Sequence, residues 1–216
     1  MMLPTLEYSG TFGPVPLGDF THTLLMATDF TPLAIPDVLL IQATRHVDER
    51  GYFSETYRQS AFTTINTEFV QDNFVRSNHG VLRGLHFQLP PKAQGKLVRV
   101  VRGEIFDVAV DLRAGSDTFS QWVGIQMTSE QEAQIYIPPG FAHGYLVLSE
   151  LGADVTYKTT QEYDPSLERG IKWDDPDLAI SWPIPDPILS SKDLGLPNLT
   201  ESELGANLKD RRSEAS

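Results

Sequence analysis

Cysteine is absent from all 216 residues, which excludes disulfides, thiolate nucleophiles, zinc–cysteine sites and iron–sulfur clusters. Positive charge is scarce: 17 Lys and Arg stand against 29 Asp and Glu, a formal charge of −12. Such a surface lacks the cations that displace phosphate counterions from nucleic acid or that dock on anionic membranes. No Lys or Arg precedes Arg45, so the N-terminal stretch lacks the basic segment that opens a secretory or transit peptide. Long apolar runs are missing too. The longest aliphatic stretches, 38–41 and 146–148, are far too short to span a bilayer. These absences lead us to expect a cytoplasmic enzyme or binding protein with neither nucleic-acid nor membrane partners. The length suits one well-buried domain with ends to spare.

What is present reads as β structure. Segments rich in Val, Ile, Phe and Tyr recur between Gly and Pro at 36–45, 51–57, 81–88, 96–101, 104–112, 121–127, 133–137, 144–148 and 154–158. Nine short strands at this spacing, with one helix expected near 59–66, signal an all-β sandwich or barrel. In 104–112, Phe106, Val108, Val110 and Leu112 share one face, opposite Ile105, Asp107, Ala109 and Asp111. In 81–88, alternation puts Leu82, Gly84, His86 and Gln88 on one face and Arg83 on the other. Residues 1–34 read as an irregular extension, or as an arm packing through Leu24, Leu25 and Phe30. The domain proper is expected over 35–195. A polar tail over 196–216 follows, with a short helix from Glu201 to about Lys209. Trp122, Trp173 and Trp182 are assigned to core or loop packing.

The charge is locally odd. From Arg76 to Arg102 the chain carries Arg76, Arg83, Lys92, Lys96, Arg99 and Arg102 and no acidic residue. Solvated strand faces could produce this, but so would a pocket for a small anion. Within that window His86 sits on a strand beside Gly84, where a missing side chain leaves room for a ligand. Residues 138–143 have the Pro-x-Gly-x-x-His shape of the second motif of the cupin jelly rolls. Metal-binding cupins carry His-x-His in their first motif, whereas here the text is His86-Phe87-Gln88. His22, His46 and His79 have no partner at metal-ligand spacing. The reading is therefore a jelly roll with no metal site.

The chain resembles the dTDP-4-dehydrorhamnose 3,5-epimerases over roughly three quarters of its length. The likeness runs through 48–53 (DERGYF), 69–73 (FVQDN), 81–88 (VLRGLHFQ), 94–99 (QGKLVR), 103–111 (GEIFDVAVD), 140–144 (GFAHG), 157–158 (YK) and 189–193 (LSSKD). The resemblance implies a cupin-like double-stranded β-helix, or jelly roll, with short peripheral helices. It also implies a homodimer that needs no cofactor and acts on a dTDP-linked 4-keto-6-deoxy sugar. His86 would be the base, an imidazole having an ordinary pKa of about 6.5. Asp193 would orient it, Lys96 would stabilise the enolate oxygen, and Tyr157 would return a proton from the opposite face. Arg50, Glu55, Gln71, Asn73 and Arg83 would contact nucleotide and sugar. His143, Glu168 and Lys192 would add further substrate contacts, and Tyr163 would stack on the thymine.

Blander roles remain open for single residues. Tyr157 could be an ordinary strand residue, Asp193 a helix cap, and Arg50 with Glu55 a surface ion pair. Three rival functions also stand. One is a monoepimerase inverting only C3 or C5, which would keep the same His, Asp and Tyr. Another is a cupin-like module that binds a nucleotide sugar without reacting it. A metal-dependent cupin enzyme is a third.

Overall fold

The computed structural model describes residues 7–9 and 29–204. In chain order the first strands are β1 (Glu7–Ser9), β2 (Asp29–Pro32), β3 (Leu39–Gln42), β4 (Arg45–Asp48) and β5 (Gly51–Ser54). Next come β6 (Gln71–Ser77), β7 (Leu82–Gln88), β8 (Lys96–Arg102), β9 (Glu104–Asp111) and β10 (Trp122–Thr128). The chain continues through β11 (Ala133–Ile137), β12 (Phe141–Val147), β13 (Ala153–Thr159) and β14 (Glu168–Gly170) to a one-turn helix, α1 (Ser191–Leu194). Two six-stranded antiparallel sheets result, ordered β1-β10-β9-β12-β7-β14 and β2-β3-β11-β8-β13-β6. β4 and β5 form a separate hairpin. This is the expected all-β jelly roll.

The sheets face each other across a core to which both contribute. Ile105, Ala109, Val123, Ile125 and Val147 of the first sheet meet Val98, Val100, Ile135, Ile137 and Val155 of the second. Each sheet is also covered on its outer face. Phe106, Val108, Val110 and Leu146 turn outward against a cluster with Phe119, Trp122, Ile171, Leu178 and Leu199, where Trp173 and Trp182 pack at the margin. The chain from Ile171 onward thus wraps the first sheet. That wrapping leaves both faces of β9 buried, so its outward valines are as hidden as its inward residues. On the second sheet, Ile41, Leu97 and Tyr136 are covered by Phe62, with Phe30, Tyr57 and Phe69 around them.

Several expectations need revision. Two strands, β1 and β2, fall inside the stretch read as irregular, and β2 pairs with β3 along its length. Phe30 does pack on the domain, while Leu24 and Leu25 lie outside the described residues. The helix expected over 59–66 is only a 3₁₀ turn, Gln59–Ala61. The Thr-rich continuation forms helix poorly, and Asn66 adopts a left-handed backbone (φ 47°). The helix expected from Glu201 does not form over the described residues: a 3₁₀ turn, Leu199–Glu201, ends there, Ser202 being extended, and the part past residue 204 lies outside them. β6 was not foreseen as a strand. It is a sheet edge of mixed polarity, with Asp72, Phe74 and Arg76 exposed.

The revision that matters most for the site is in β7. Leu82 packs in the outer cluster with Leu85 and Phe87, while Arg83 joins His86 on the inner side. An extra residue explains it: His143 pairs with His86, but Tyr145 pairs with Arg83, so β7 advances three positions for two on β12. Such a bulge resets the alternation and re-aims the side chains before it. Gly84 makes it possible. Its φ is +143°, and a Cβ there would stand 2.5 Å from the Gly144 Cα. Gly84→Ala is therefore expected to cost about 3 kcal/mol of unfolding free energy. A urea melt of the variant checks this, and a change within experimental error of zero would contradict it.

Candidate active site

A cavity of about 260 Å³ opens between the sheets, lined by Val75, Arg83, His86, Lys96, His143, Tyr145, Tyr157, Ser190, Lys192 and Asp193. A larger groove of about 370 Å³ runs beside it under β14 and shares Lys192. Its remaining lining includes Phe87, Leu196, Pro197 and the Arg169–Glu203 ion pair, with neither a histidine nor a side chain from the second sheet, so a base and an acid facing each other belong to the smaller cavity.

His86 reaches the cavity because the bulge and β7 point it inward. Its Nε2 lies 2.6 Å from Asp193 Oδ1. Asp193 comes from the far end of the chain on α1, a turn capped by Ser190, whose Oγ accepts from the Asp193 amide at 3.1 Å. The strap that carries it is stitched to β7 through Leu82 N–H to Ile188 O and Ile188 N–H to Gly80 O. Burial pushes the Asp193 carboxyl up. The His86 bond and charge, with Ser190 and Lys192, outweigh that and hold it below the usual range. An ionised Asp193 keeps the proton on Nε2, which leaves His86 Nδ1 as the basic nitrogen.

On the opposite sheet, Tyr157 of β13 presents a phenol. Burial raises its pKa, Arg83 opposes the rise and Glu168 adds to it, so it stays protonated. Lys96 enters from β8 and donates from Nζ to the His86 carbonyl at 3.3 Å. Burial lowers the Lys96 ammonium to about 8, against the upward pull of Asp107 and Glu168. Next to them His143 of β12 contacts Asp107, with Nε2 3.0 Å from Oδ2. Arg83 donates from Nε to Ser77 Oγ at 2.9 Å.

The remaining expected residues form a rim. Glu168 of β14 pairs with Lys192 Nζ at 2.6 Å and accepts from the Tyr163 hydroxyl at 2.5 Å. Gln71 accepts from the Tyr163 amide at 2.8 Å and donates to Asn73 at 3.0 Å. Both come from the same face of β6, where Asn73 pairs in register with Tyr157. Arg50 and Glu55 are not brought to the cavity of this chain. Arg50 sits at the β4–β5 hairpin turn, bound to Asp48, and Glu55 pairs with Arg58 at 2.8 Å.

The acid-free window resolves unevenly. Arg76 and Arg102 share Asp154, Lys92 meets Asp164 and Arg99 meets Glu132. Those four are structural ion pairs, and only Arg83 and Lys96 of the six face the cavity. Gln88, standing where a metal-binding cupin has its second histidine, donates to the carbonyls of Lys92 and Glu162. Sequence reasoning missed Asp107. Its signal lies in the alternation of 104–112, where Asp107 and Asp111 share the inward phase of an otherwise apolar strand.

Abstraction of a proton on one side of a carbon and delivery on the other needs a base and an acid facing each other, with a cation for the charge between them. On this scaffold that arrangement defines a jelly-roll sugar isomerase. The chain belongs to the dTDP-4-dehydrorhamnose 3,5-epimerase family, whose pattern matches residues 32–201. It is 55% identical over 167 residues to a dTDP-4-dehydrorhamnose 3,5-epimerase of Pseudomonas aeruginosa, covering 76% of this chain and 91% of that one. A crystal structure of the Legionella pneumophila dTDP-6-deoxy-D-glucose-3,5-epimerase, in complex with dTDP-4-keto-L-rhamnose, superposes with a TM-score of 0.79. It is 44% identical, over 82% of this chain and 96% of that one. A 3'-monoepimerase of Streptomyces bikiniensis in complex with dTDP-quinovose is also similar. It shows 32% identity and a TM-score of 0.74 over 85% of this chain and 97% of that one.

The burial of Lys96 gives a direct test. Carbon-13 methyl labelling of the lysines and NMR titration should show one amine, assigned by Lys96→Arg, with a midpoint near 8. Titration of Lys96 at the ordinary lysine value of 10.5 would contradict the cavity electrostatics.

Proposed function

We propose that the protein inverts C3 and C5 of dTDP-4-dehydro-6-deoxy-D-glucose to give dTDP-4-dehydro-L-rhamnose. The observation that carries this reading is the His86–Asp193 pair, joined at 2.6 Å, in one cavity with Tyr157 of the opposite sheet. The 4-keto group acidifies the hydrogens on both neighbouring carbons. His86 Nδ1 takes one of them, the C–H electrons form a C=C bond, and negative charge moves onto the C4 oxygen. The Lys96 ammonium stabilises that enolate, as a fixed charge does at an oxyanion in a dry site. The Tyr157 hydroxyl then gives its proton to the same carbon from the other face, and the C–H bond reforms inverted. Solvent returns a proton to the phenolate and removes one from the imidazolium, so the cycle repeats at the second carbon. Asp193 holds the tautomer and balances the imidazolium charge.

The rest of the ligand follows the rim. Arg83 and Lys192 carry the positive charge suited to a diphosphate. Tyr163, its ring half exposed and its hydroxyl tied to Glu168, is suited to stacking on thymine, with Gln71 and Asn73 beside it. His143 contacts the sugar. Arg50 and Glu55 serve the partner's cavity in a homodimer. Val47, Tyr52 and Phe53 of their hairpin and Phe74 of the β6 edge are large apolar side chains left exposed in the single chain, which supports that pairing.

A second reading, inversion at one carbon only, is favoured by the similarity to a 3'-monoepimerase. Proton NMR of the substrate incubated with enzyme in heavy water separates the two. Loss of both the C3 and the C5 hydrogen signals is expected, and loss of one would make the enzyme a monoepimerase. His86→Ala should lower turnover by about 10³-fold while dTDP binding, read by calorimetry, survives. Unchanged turnover in that variant would overturn the assignment of the base.

A further inference from the structure

One buried carboxylate, directly behind the His143 that lines the cavity, takes no part in the steps above. Asp107 stands on β9, beside β12, with none of its surface exposed. A carboxylate so placed needs charges or hydrogen bonds to answer it. Both its oxygens lie against one ring nitrogen, His143 Nε2 being 3.1 Å from Oδ1 and 3.0 Å from Oδ2. Burial drives His143 toward its neutral form, against the pull of Asp107. A neutral imidazole beside a carboxylate carries its proton on the facing nitrogen, which leaves Nδ1 as an acceptor.

The second neighbour is Lys96, whose amine reaches the carbonyl of His86, the residue paired in register with His143. The charged and titratable groups that share the cavity with that amine or act on it are Asp107 from β9, Glu168 from β14, His86 and Arg83 from β7, His143 and Tyr145 from β12, Tyr157 from β13, and Lys192 and Asp193 from α1. Three of these are acids. Glu168 is already matched by Lys192, and Asp193 by His86. Asp107 is bonded by an imidazole that burial keeps neutral, so its charge is the one left for Lys96.

We propose that Asp107 is the positioning residue for the enolate side of the cavity. It fixes His143 as the Nε2–H tautomer, an acceptor for a sugar hydroxyl, and supplies the countercharge that keeps Lys96 an ammonium where the C4 oxygen turns negative. This role rests on the epimerase reading and predicts behaviour that a merely structural carboxylate would not produce.

Asp107→Asn keeps the shape and removes the charge. The basic limb of its kcat/KM profile should move down by about one pH unit. The ratio of variant to wild-type activity should then fall about sixfold between pH 6.5 and pH 8.5, with the loss in kcat rather than KM. A uniform loss at every pH, or no loss, would overturn the proposal. The tautomer is read independently of any variant by nitrogen-15 NMR of the histidine rings in the wild-type protein. The proton of His143 is expected on Nε2, and a proton on Nδ1 would overturn the proposal even if the variant failed to fold. Wild-type enzyme that exchanges no sugar hydrogen would remove the epimerase reading, and with it the role at the enolate. A wild-type enzyme that does so while Asp107→Asn runs parallel to it removes this inference alone.

Discussion

The hydrogen bond between His86 and Asp193 is the constraint around which this chain is arranged. Its partners are 107 residues apart, one on an inner strand and the other on a single turn of helix near the end of the described chain. Joining them requires the segment after β14 to cross the outer face of the first sheet and return along β7. The crossing covers Phe106, Val108, Val110 and Leu146 with Ile171, Leu178 and Leu199. The return is held by the paired backbone bonds of Ile188 and by the Ser190 cap. The burial that stabilises the fold therefore also sets Asp193 against His86.

Charge is handled by the same economy. An acidic chain must offer a cationic cavity to an anionic ligand, and it does so with few cations. Four of the six cations in the acid-free window are consumed by Asp154, Asp164 and Glu132, which tie strands and loops together. Arg83 and Lys96 are left facing inward. Burial weakens the hold of Lys96 on its proton, so the cavity wall must carry acids as well as bases. Buried Asp107 is first among them, and Glu168, itself paired with Lys192, adds to it.

Much of this was legible in the sequence. Alternation over 104–112 marked β9 and separated Phe106 from Asp107 correctly, because side chains on a strand must alternate. The quoted motifs located His86, Lys96, Tyr157 and Asp193, and the fold gathers all four into one cavity. The misses have physical causes. Alternation put Arg83 opposite His86 because one sequence cannot announce a bulge, which depends on the approach of Gly144 from another strand. β6 was overlooked because an edge strand exposes half its residues and need not be apolar. The window of cations looked like one pocket because ion pairs such as Arg102 with Asp154 join residues about fifty positions apart. Arg50 and Glu55 stand at and just after a hairpin away from the cavity, each paired with a neighbour close in sequence.

The central claim is that base and acid address opposite faces of one carbon, and Tyr157→Phe in heavy water tests it most directly. With the phenol gone, His86 can still remove a proton and return one from the same side. The account predicts that deuterium enters next to the 4-keto group while the sugar keeps its original configuration. Inverted product formed by Tyr157→Phe at the wild-type rate would contradict it.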